Sequence, residues 1–147
     1  MPRLRSLVII LAATLISACS EPSDTEAAIR ATIAQMQAAL EERDNSGFRE
    51  HLAASFLGGQ GGQRNMDREA ARRLLAAYFI RYRNIDVVIT SLDIDPDPHE
   101  PALASMRGSA ALSGGSTALP ENARLYRFAG QWRYLKGRWQ LIQFSWE

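Results

Sequence analysis

Cysteine is nearly missing from this chain. A single Cys in 147 residues excludes an intrachain disulfide, and one Cys with two His excludes a Cys/His zinc finger. An excess of one charge is missing too. Seventeen Lys+Arg stand against sixteen Asp+Glu, a formal net charge of +1, which gives no electrostatic footprint for nucleic-acid binding. Lysine occurs once, at Lys136, so the basic side chains are almost all Arg, the better bidentate partner. The one long apolar run, Leu7–Leu15, is shorter than the roughly 20 residues that a permanent membrane-spanning helix needs. What is present suits a packed core. Hydrophobic residues make up 46%, charged residues 22% and aromatics 8%, in a length that fits one domain.

The apolar run has the flanks of a secretory signal, with Arg3 and Arg5 as a cationic start and small residues at the end. Ile16-Ser17-Ala18-Cys19 resembles the lipobox of bacterial lipoproteins. That resemblance implies a signal peptide over 1–18, a lipidated Cys19 and a tether over 19–23, with the protein anchored in the cell envelope and facing the periplasm. Ser20 after the Cys, rather than Asp, points to the outer membrane. The plainer reading is an ordinary signal cut near Ala18, with Cys19 a spectator. Loss of Arg3 and Arg5 leaves the mature domain, 24–147, close to neutral.

Ser23-Asp24-Thr25-Glu26 fits a capping box, and Ile29, Ile33, Met36 and Leu40 then form one apolar stripe on a helix of about 18 residues. A shorter helix is expected from about Ser46 to Ser55, with Phe48, Leu52 and Phe56 inward. Gly58–Gln63 lacks the Lys-Ser/Thr ending of a phosphate-binding loop and reads as a solvated loop or the tip of a small hairpin. A third helix is expected from Met66 to about Arg83, capped by Asn65 or Asp67. Its inward set includes Ala70, Leu74, Ala77 and Tyr78, widened by Leu75, Phe79 and Tyr82 with Tyr82 among the possible hydroxyl donors, and Arg68, Arg72, Arg73 and Arg81 form a solvated face or a contact for anionic lipid headgroups. Strands are expected over Ile85–Ile94, Ala102–Leu112, Ala123–Leu135 and Arg138–Trp146.

A two-residue turn at Lys136-Gly137 places Tyr134 opposite Trp139 and Trp132 opposite Leu141. Strict alternation then puts Tyr126 and Phe128 on the same aromatic face. The opposite face receives Leu125, Arg127, Ala129, Gln131, Arg133, Arg138, Gln140, Ile142, Phe144 and Trp146. This mixed face is a candidate for self-association through the sheet.

Three helices followed by a long curved antiparallel sheet, ending in Trp132-Arg-Tyr-Leu-Lys-Gly-Arg-Trp139-Gln-Leu-Ile, resemble the NTF2-like (SnoaL-like, ketosteroid-isomerase-like) family. The stretch Gly114-Gly115, Leu119-Pro120-Glu121, Arg124, Tyr126 and Trp132-Arg133 is similar to small bacterial lipoproteins with such domains. The resemblance implies an α+β cone with its pocket between helices and sheet. Pocket candidates are then Tyr78, Tyr126, Phe128, Trp132, Tyr134 and Trp139, with His51 and Asp86 as acid-base candidates. Asp93, Asp95 and Asp97 alternate loosely like a calcium loop but lack its Gly turn and distal Glu. His99, in a Pro/Asp-rich loop, reads as an exposed imidazole. No metal or cofactor is expected.

Two uses of the cone compete. One is a non-catalytic, lipid-anchored module that takes a small apolar ligand or an envelope protein partner, or pairs with itself. The other is an isomerase, dehydratase or hydrolase with acid-base residues in the cone. A purely structural envelope role is a third reading.

Overall fold

The apolar stripe of the first segment forms helix α1 (Glu21–Glu41) in a computed structural model that describes residues 21–115 and 122–147. The signal sequence, Cys19, Ser20 and Leu119-Pro120-Glu121 lie outside the described residues. Helix α1 is already under way at Ser23, which corrects the capping-box start. Pro22 fits that first turn, where a missing N–H costs nothing. Ile29 and Met36 are buried, and Ile33 and Leu40 are half-buried. The helix stops at Arg43, which takes a left-handed φ of 57°, and Asp44 N–H reaches back to Ala39 O at 2.7 Å. Asp44 then caps α2 (Asn45–Glu50), accepting from Gly47 N–H at 2.9 Å.

Helix α2 ends at Glu50, and Leu52 opens a strand, β1 (Leu52–Gln60). This corrects the longer helix expected to Ser55. The spacing of Phe48, Leu52 and Phe56 imitates a helical stripe, but Leu52 and Phe56 are inward residues of a strand whose pairing shifts between Leu52 and Leu57. The glycines at 58 and 59 belong to β1, and Gly61 and Gly62, with φ of 62° and 80°, turn the chain toward β2 (Met66–Asp67). Asp67 caps α3 (Arg68–Arg81) by accepting from Ala70 N–H at 2.7 Å.

Helix α3 turns Ala71 inward, with Leu75, Tyr78 and Phe79 half-buried. Leu74, expected in the core, is 50% exposed, and Ile80 is 86% exposed. Arg68 does not lie on a free face. Its guanidinium donates to Arg49 O at 3.1 Å and Glu69 pairs with Arg49 at 3.4 Å, so both hold α3 beside α2, whereas Arg72 pairs with Glu69 at 2.9 Å within α3 itself.

The remaining strands are β3 (Asn84–Pro96), β4 (Leu103–Gly115), β5 (Asn122–Leu135) and β6 (Arg138–Trp146). The sheet order is β2-β1-β6-β5-β4-β3, antiparallel except where β1 runs parallel to β6. The edge strand β3 is closed by α1 side chains. Arg30 donates to Leu92 O at 3.0 Å, Gln37 donates to Val87 O at 2.8 Å, and Glu41 accepts from Val87 N–H at 3.2 Å. These contacts satisfy backbone groups that would otherwise invite edge pairing.

The hairpin register is as expected, Tyr134 opposite Trp139 and Trp132 opposite Leu141. Both turn residues have positive φ, 51° at Lys136 and 80° at Gly137, as a type I′ turn requires. Lys136→Asn should therefore stabilise the domain by about 0.5–1 kcal/mol, because Asn tolerates this conformation better. Gly137→Ala should cost about 1 kcal/mol or more. Thermal unfolding of the two variants checks both signs.

One expectation about the faces fails. Register shifts between Gln131 and Trp132, so Gln131 faces Gln143 while Trp132 faces Leu141, and Ile142 is an extra residue on β6. This bulge changes the parity of everything after it. Phe144 lies opposite Gly130 and Trp146 opposite Phe128, which places both on the inner aromatic face rather than the outer mixed one. The core gathers at one end of that face. Trp132, Trp139, Leu141, Met106, Ala104 and Ile94 pack there with Leu52, Phe56, Ile29, Met36 and Ala71.

Candidate functional site

Helix α1 packs on β3, and α3 packs on β1 and β2; no Cα of α1 comes within 8 Å of one in α3 among the described residues. Between them the inner face of β4, β5 and β6 is only half-buried beyond the core, and this stretch is the candidate cleft. Its floor is aromatic. Phe128 and Phe144 stack with ring centroids 5.8 Å apart, and Phe144 lies 6.0 Å from Trp146. All three are half-buried, unlike Trp132 at the closed end, which is fully buried. The β4 residues beside Phe128 and Tyr126 are Gly108 and Ala110, so bulk on β5 meets little bulk on β4.

Three tyrosines meet on the α3 side. Tyr78 and Tyr82 have ring centroids 4.5 Å apart, and the Arg81 guanidinium lies 5.5 Å from the Tyr82 ring centre. The Tyr82 ring rests on Gly114, where an added Cβ would come within 2.9 Å of it, so a larger residue there would displace the ring. Burial pushes the Tyr78 phenol above its ordinary value of 10.0, and neighbouring Tyr82 and Tyr126 push it the same way, against Arg124 and Arg81. Tyr78 is thus a neutral hydrogen-bond donor at physiological pH. No protein acceptor engages the Tyr78, Tyr82 or Tyr126 hydroxyl among the described residues. The arrangement offers a flat apolar ligand stacking rings below and phenol donors at one side.

The structure brings Tyr78, Tyr126 and Phe128 together in the cleft. Trp132 and Trp139 are 0% and 7% exposed and belong to the core. Tyr134 is 47% exposed and packs on Trp139 at 5.5 Å, away from the cleft at the hairpin end. Asp86 pairs with Ser113 in β4 and points out of the opposite face of the sheet, because its neighbour Val87 takes the inward position. His51 caps α2, and the charges that act on it are Arg138 and Glu50, so it sits near the β5–β6 hairpin rather than among the tyrosines. The two acid-base candidates do not meet.

Sequence reasoning placed Phe144 and Trp146 on the wrong face and left Tyr82 out of the pocket set. A signal existed in the spacing. Inward residues of β6 run Trp139, Leu141, Phe144 and Trp146, and the step of three across Ile142-Gln143 marks the bulge. Strand β3 does the same at Ile89 and Leu92, where the register shifts around Thr90.

Burial lowers the His51 pKa from its ordinary 6.5, and Arg138 lowers it further against Glu50. A lowered folded value means that the unfolded chain binds the proton more tightly. Stability from this group is complete above pH 6.5 and is lost as pH falls through the folded value. Urea unfolding should accordingly show a decline below about pH 6.5 that His51→Gln reduces.

Other concavities are shallower in chemistry. An open groove of about 350 Å³ lies between α1 and β3, lined by Arg30, Ile33, Gln37, Ile89 and Leu92 among others. A second, of about 430 Å³, is bordered by Asn45, Arg49, Glu69 and Arg72, whose charges are paired. His99 is exposed, and Asp97 accepts the backbone N–H groups of His99 and Glu100, so its carboxylate is engaged in a turn. No group of three or more His, Cys, Asp or Glu suited to a metal ion occurs among the described residues.

Solved structures share this architecture. A scytalone-dehydratase-like protein from Novosphingobium aromaticivorans superposes with a TM-score of 0.77 at 11% identity, covering 87% of this chain and 86% of that one. An NTF2-like protein with a cystatin-like fold from the same organism gives 0.74 at 12% identity, covering 93% and 90%. Hexachlorocyclohexane dehydrochlorinase LinA-type3 from Novosphingobium barchaimii gives 0.68 at 12%, covering 86% and 88%. No protein-family model matches the sequence, and no curated protein matches it either. The fold is NTF2-like: helices on a curved, unclosed, mainly antiparallel six-stranded sheet. At these identities the likeness extends to the fold and no further.

Proposed function

We propose that the chain is a lipid-anchored, periplasm-facing domain that captures a small, flat, largely apolar molecule in the cleft between α1 and α3 without transforming it. The observation that carries this reading is the half-buried ring series of Phe128, Phe144 and Trp146 on the inner face that also carries Tyr126, with phenols that have no protein acceptor among the described residues. Stacking supplies most of the affinity, and a phenol hydroxyl donates to one oxygen or nitrogen of the ligand. Attachment at Cys19 rests on the lipobox-like Ile16-Ser17-Ala18-Cys19, and several acyl chains at roughly 0.8 kcal/mol per buried methylene would hold the domain firmly.

Two experiments test the two halves. The fluorescence of 1-N-phenylnaphthylamine should rise on adding the full chain in mild detergent above the detergent background. Phe144→Asp should reduce the affinity at least tenfold. Equal fluorescence with both proteins would remove the cleft from the account. Cys19→Ser should abolish incorporation of radiolabelled fatty acid and move the protein out of the membrane fraction; continued labelling would remove the anchor.

An enzymatic use of the cleft is the alternative, in the class of the dehydratase- and dehydrochlorinase-named neighbours. Its support is Tyr78, a half-buried neutral phenol beside two more phenols and able to donate to a developing negative charge. That reading expects Tyr78→Phe to abolish turnover of a substrate while leaving naphthylamine binding within about twofold.

A further inference from the structure

Helix α1 runs antiparallel to β3, since Arg30 reaches Leu92 O and Gln37 reaches Val87 O. Its first residue, Glu21, is nine residues before Arg30, about 13 Å of helix, and stands near the level of Pro96 at the end of β3. Pro96 lies opposite Ala104, and Ala104 opposite Trp132. Strand β5 continues three residues past Trp132 to Leu135, about 10 Å further, before the chain turns at Lys136-Gly137. The tip of the β5–β6 hairpin therefore overhangs the end of the domain from which α1 starts. Cys19 is two residues before Glu21, and two residues span at most about 7 Å.

The overhanging tip has a composition of its own. From Ala123 to Trp146 the chain has no Asp or Glu. Arg133, Lys136 and Arg138 are exposed, and none is in an ion pair among the described residues. Beside them Tyr134 is exposed, with its ring tilted against buried Trp139. Positive φ at both turn residues keeps the tip a tight turn. A phenol ring among unpaired cations suits the headgroup layer of a bilayer, where rings sit at the interface and cations meet phosphate. The acids at this end lie two or more strands away, Asp24 on α1 and Asp97 and Glu100 in the turn between β3 and β4.

We infer that the β5–β6 hairpin tip rests in the anionic headgroups of the bilayer that holds the lipid of Cys19, so that the domain stands on its closed, core end. The inference rests on the lipid anchor proposed above. The tether is shorter than the overhang, so a domain held at Cys19 meets the headgroup layer, about 5–7 Å thick on each side of a bilayer, with the tip first. A tilt away from the hairpin would press Asp24, Asp97 and Glu100 toward the anionic surface instead, so charge selects the hairpin side. The orientation has a consequence for the cleft. Tyr82 rests on Gly114, ten residues along β4 from Ala104, and Phe128 lies opposite Gly108 between them. The rings and phenols thus lie on the far side of the core from the bilayer, and the cleft exchanges its ligand with the aqueous compartment rather than with the anchoring membrane.

Fluorescence quenching of the full chain, extracted in mild detergent and reconstituted into vesicles of phosphatidylcholine and phosphatidylglycerol, tests this. Tyr134→Cys at the tip and Ile80→Cys near the end of α3, on the Gly114 side, each carry a thiol-reactive fluorophore, and wild type sets the background from Cys19. A nitroxide on the lipid headgroup should quench the label at residue 134 severalfold more than the label at residue 80. Adding Lys136→Glu and Arg138→Glu to Tyr134→Cys should lower that quenching severalfold with an unchanged circular dichroism spectrum. Vesicles of phosphatidylcholine alone should give the same loss without the charge reversals. Equal quenching at the two positions, or stronger quenching at residue 80, would overturn the orientation. Quenching at residue 134 that survives both charge reversals would overturn the headgroup contact. The covalent mass of each preparation reads the anchor separately. A chain without acyl mass would remove the anchor and the orientation with it, whereas an acylated chain quenched chiefly at residue 80 would remove the orientation alone.

Discussion

Inserting one alanine between Gln143 and Phe144 should turn Phe144 and Trp146 out of the cleft and bring the new alanine and Ser145 into their places. Strand parity has a period of two, so one residue added beyond the bulge at Ile142 exchanges faces for everything after it. Three inner rings support one another here, with Phe144 between Phe128 at 5.8 Å and Trp146 at 6.0 Å. The same shift disturbs the parallel pairing of β1, where Gly58 lies opposite Phe144 and Gln60 opposite Trp146. Full burial of such a side chain is worth about 1.5–3 kcal/mol, so turning out two half-buried ones should lower the unfolding free energy by about 2–3 kcal/mol. Naphthylamine affinity should fall more than tenfold in the protein that remains folded. Unfolding in urea and fluorescence titration read the two effects separately. An insertion variant of wild-type stability and affinity would contradict this account of the strand's faces.

Trp132→Ala should be the most destabilising single substitution among the inward aromatics. Trp132 is fully buried, at the centre of the cluster with Met106, Ala104, Leu141 and Leu52. Large-to-small replacement of a core aromatic costs about 3–5 kcal/mol, a large part of the ~5–15 kcal/mol by which domains of this kind are stable. The indole N–H of Trp132 is also buried without an acceptor among the described residues. Trp132→Phe keeps much of the volume and removes that unpaired donor, so it should cost about 1–2 kcal/mol, well below the alanine variant. Tyr134→Ala, two residues along on the same face but 47% exposed, should cost less than about 1.5 kcal/mol. Urea midpoints for the three variants give the order Trp132→Ala, Trp132→Phe, Tyr134→Ala, from worst to mildest. An order in which Trp132→Ala is not the worst would displace Trp132 from the centre of the core.

How far the sequence could be read depended on where its patterns keep a fixed period. The stripe of Ile29, Ile33, Met36 and Leu40 keeps the helical spacing, and the Lys136-Gly137 turn fixes the last register, so helix α1 and the start of the last hairpin were legible. Leu52 and Phe56 misled because a spacing of four suits a helical stripe, while inward residues of a strand also fall an even number apart. Leu74 misled because a helix in a splayed arrangement buries a narrower face than one packed on two sides, and α3 is covered chiefly by β1, β2 and α2. The site was legible in part. Tyr78, Tyr126 and Phe128 follow from elements whose faces are set by simple periodicity, whereas Phe144 and Trp146 lie beyond a bulge that the alternation rule passes over.

Asp86 shows the same limit from the other side. A carboxylate that opens the strand after the third helix reads as a cleft acid. The pairing of Val87 with Leu112 on the inner face nevertheless turns Asp86 outward. One residue of register separates a cleft acid from a surface charge.

Native mass spectrometry of the full chain, extracted in mild detergent from the cells that produce it and released from the micelle in the gas phase, tests the central claim most directly. The account predicts a reproducible extra mass on the folded protein, in addition to any covalent lipid. That mass should disappear on denaturation and be absent from the Phe144→Asp variant. Folded protein that carries only its covalent mass, and that leaves naphthylamine fluorescence at the detergent background, would contradict a ligand-holding cleft.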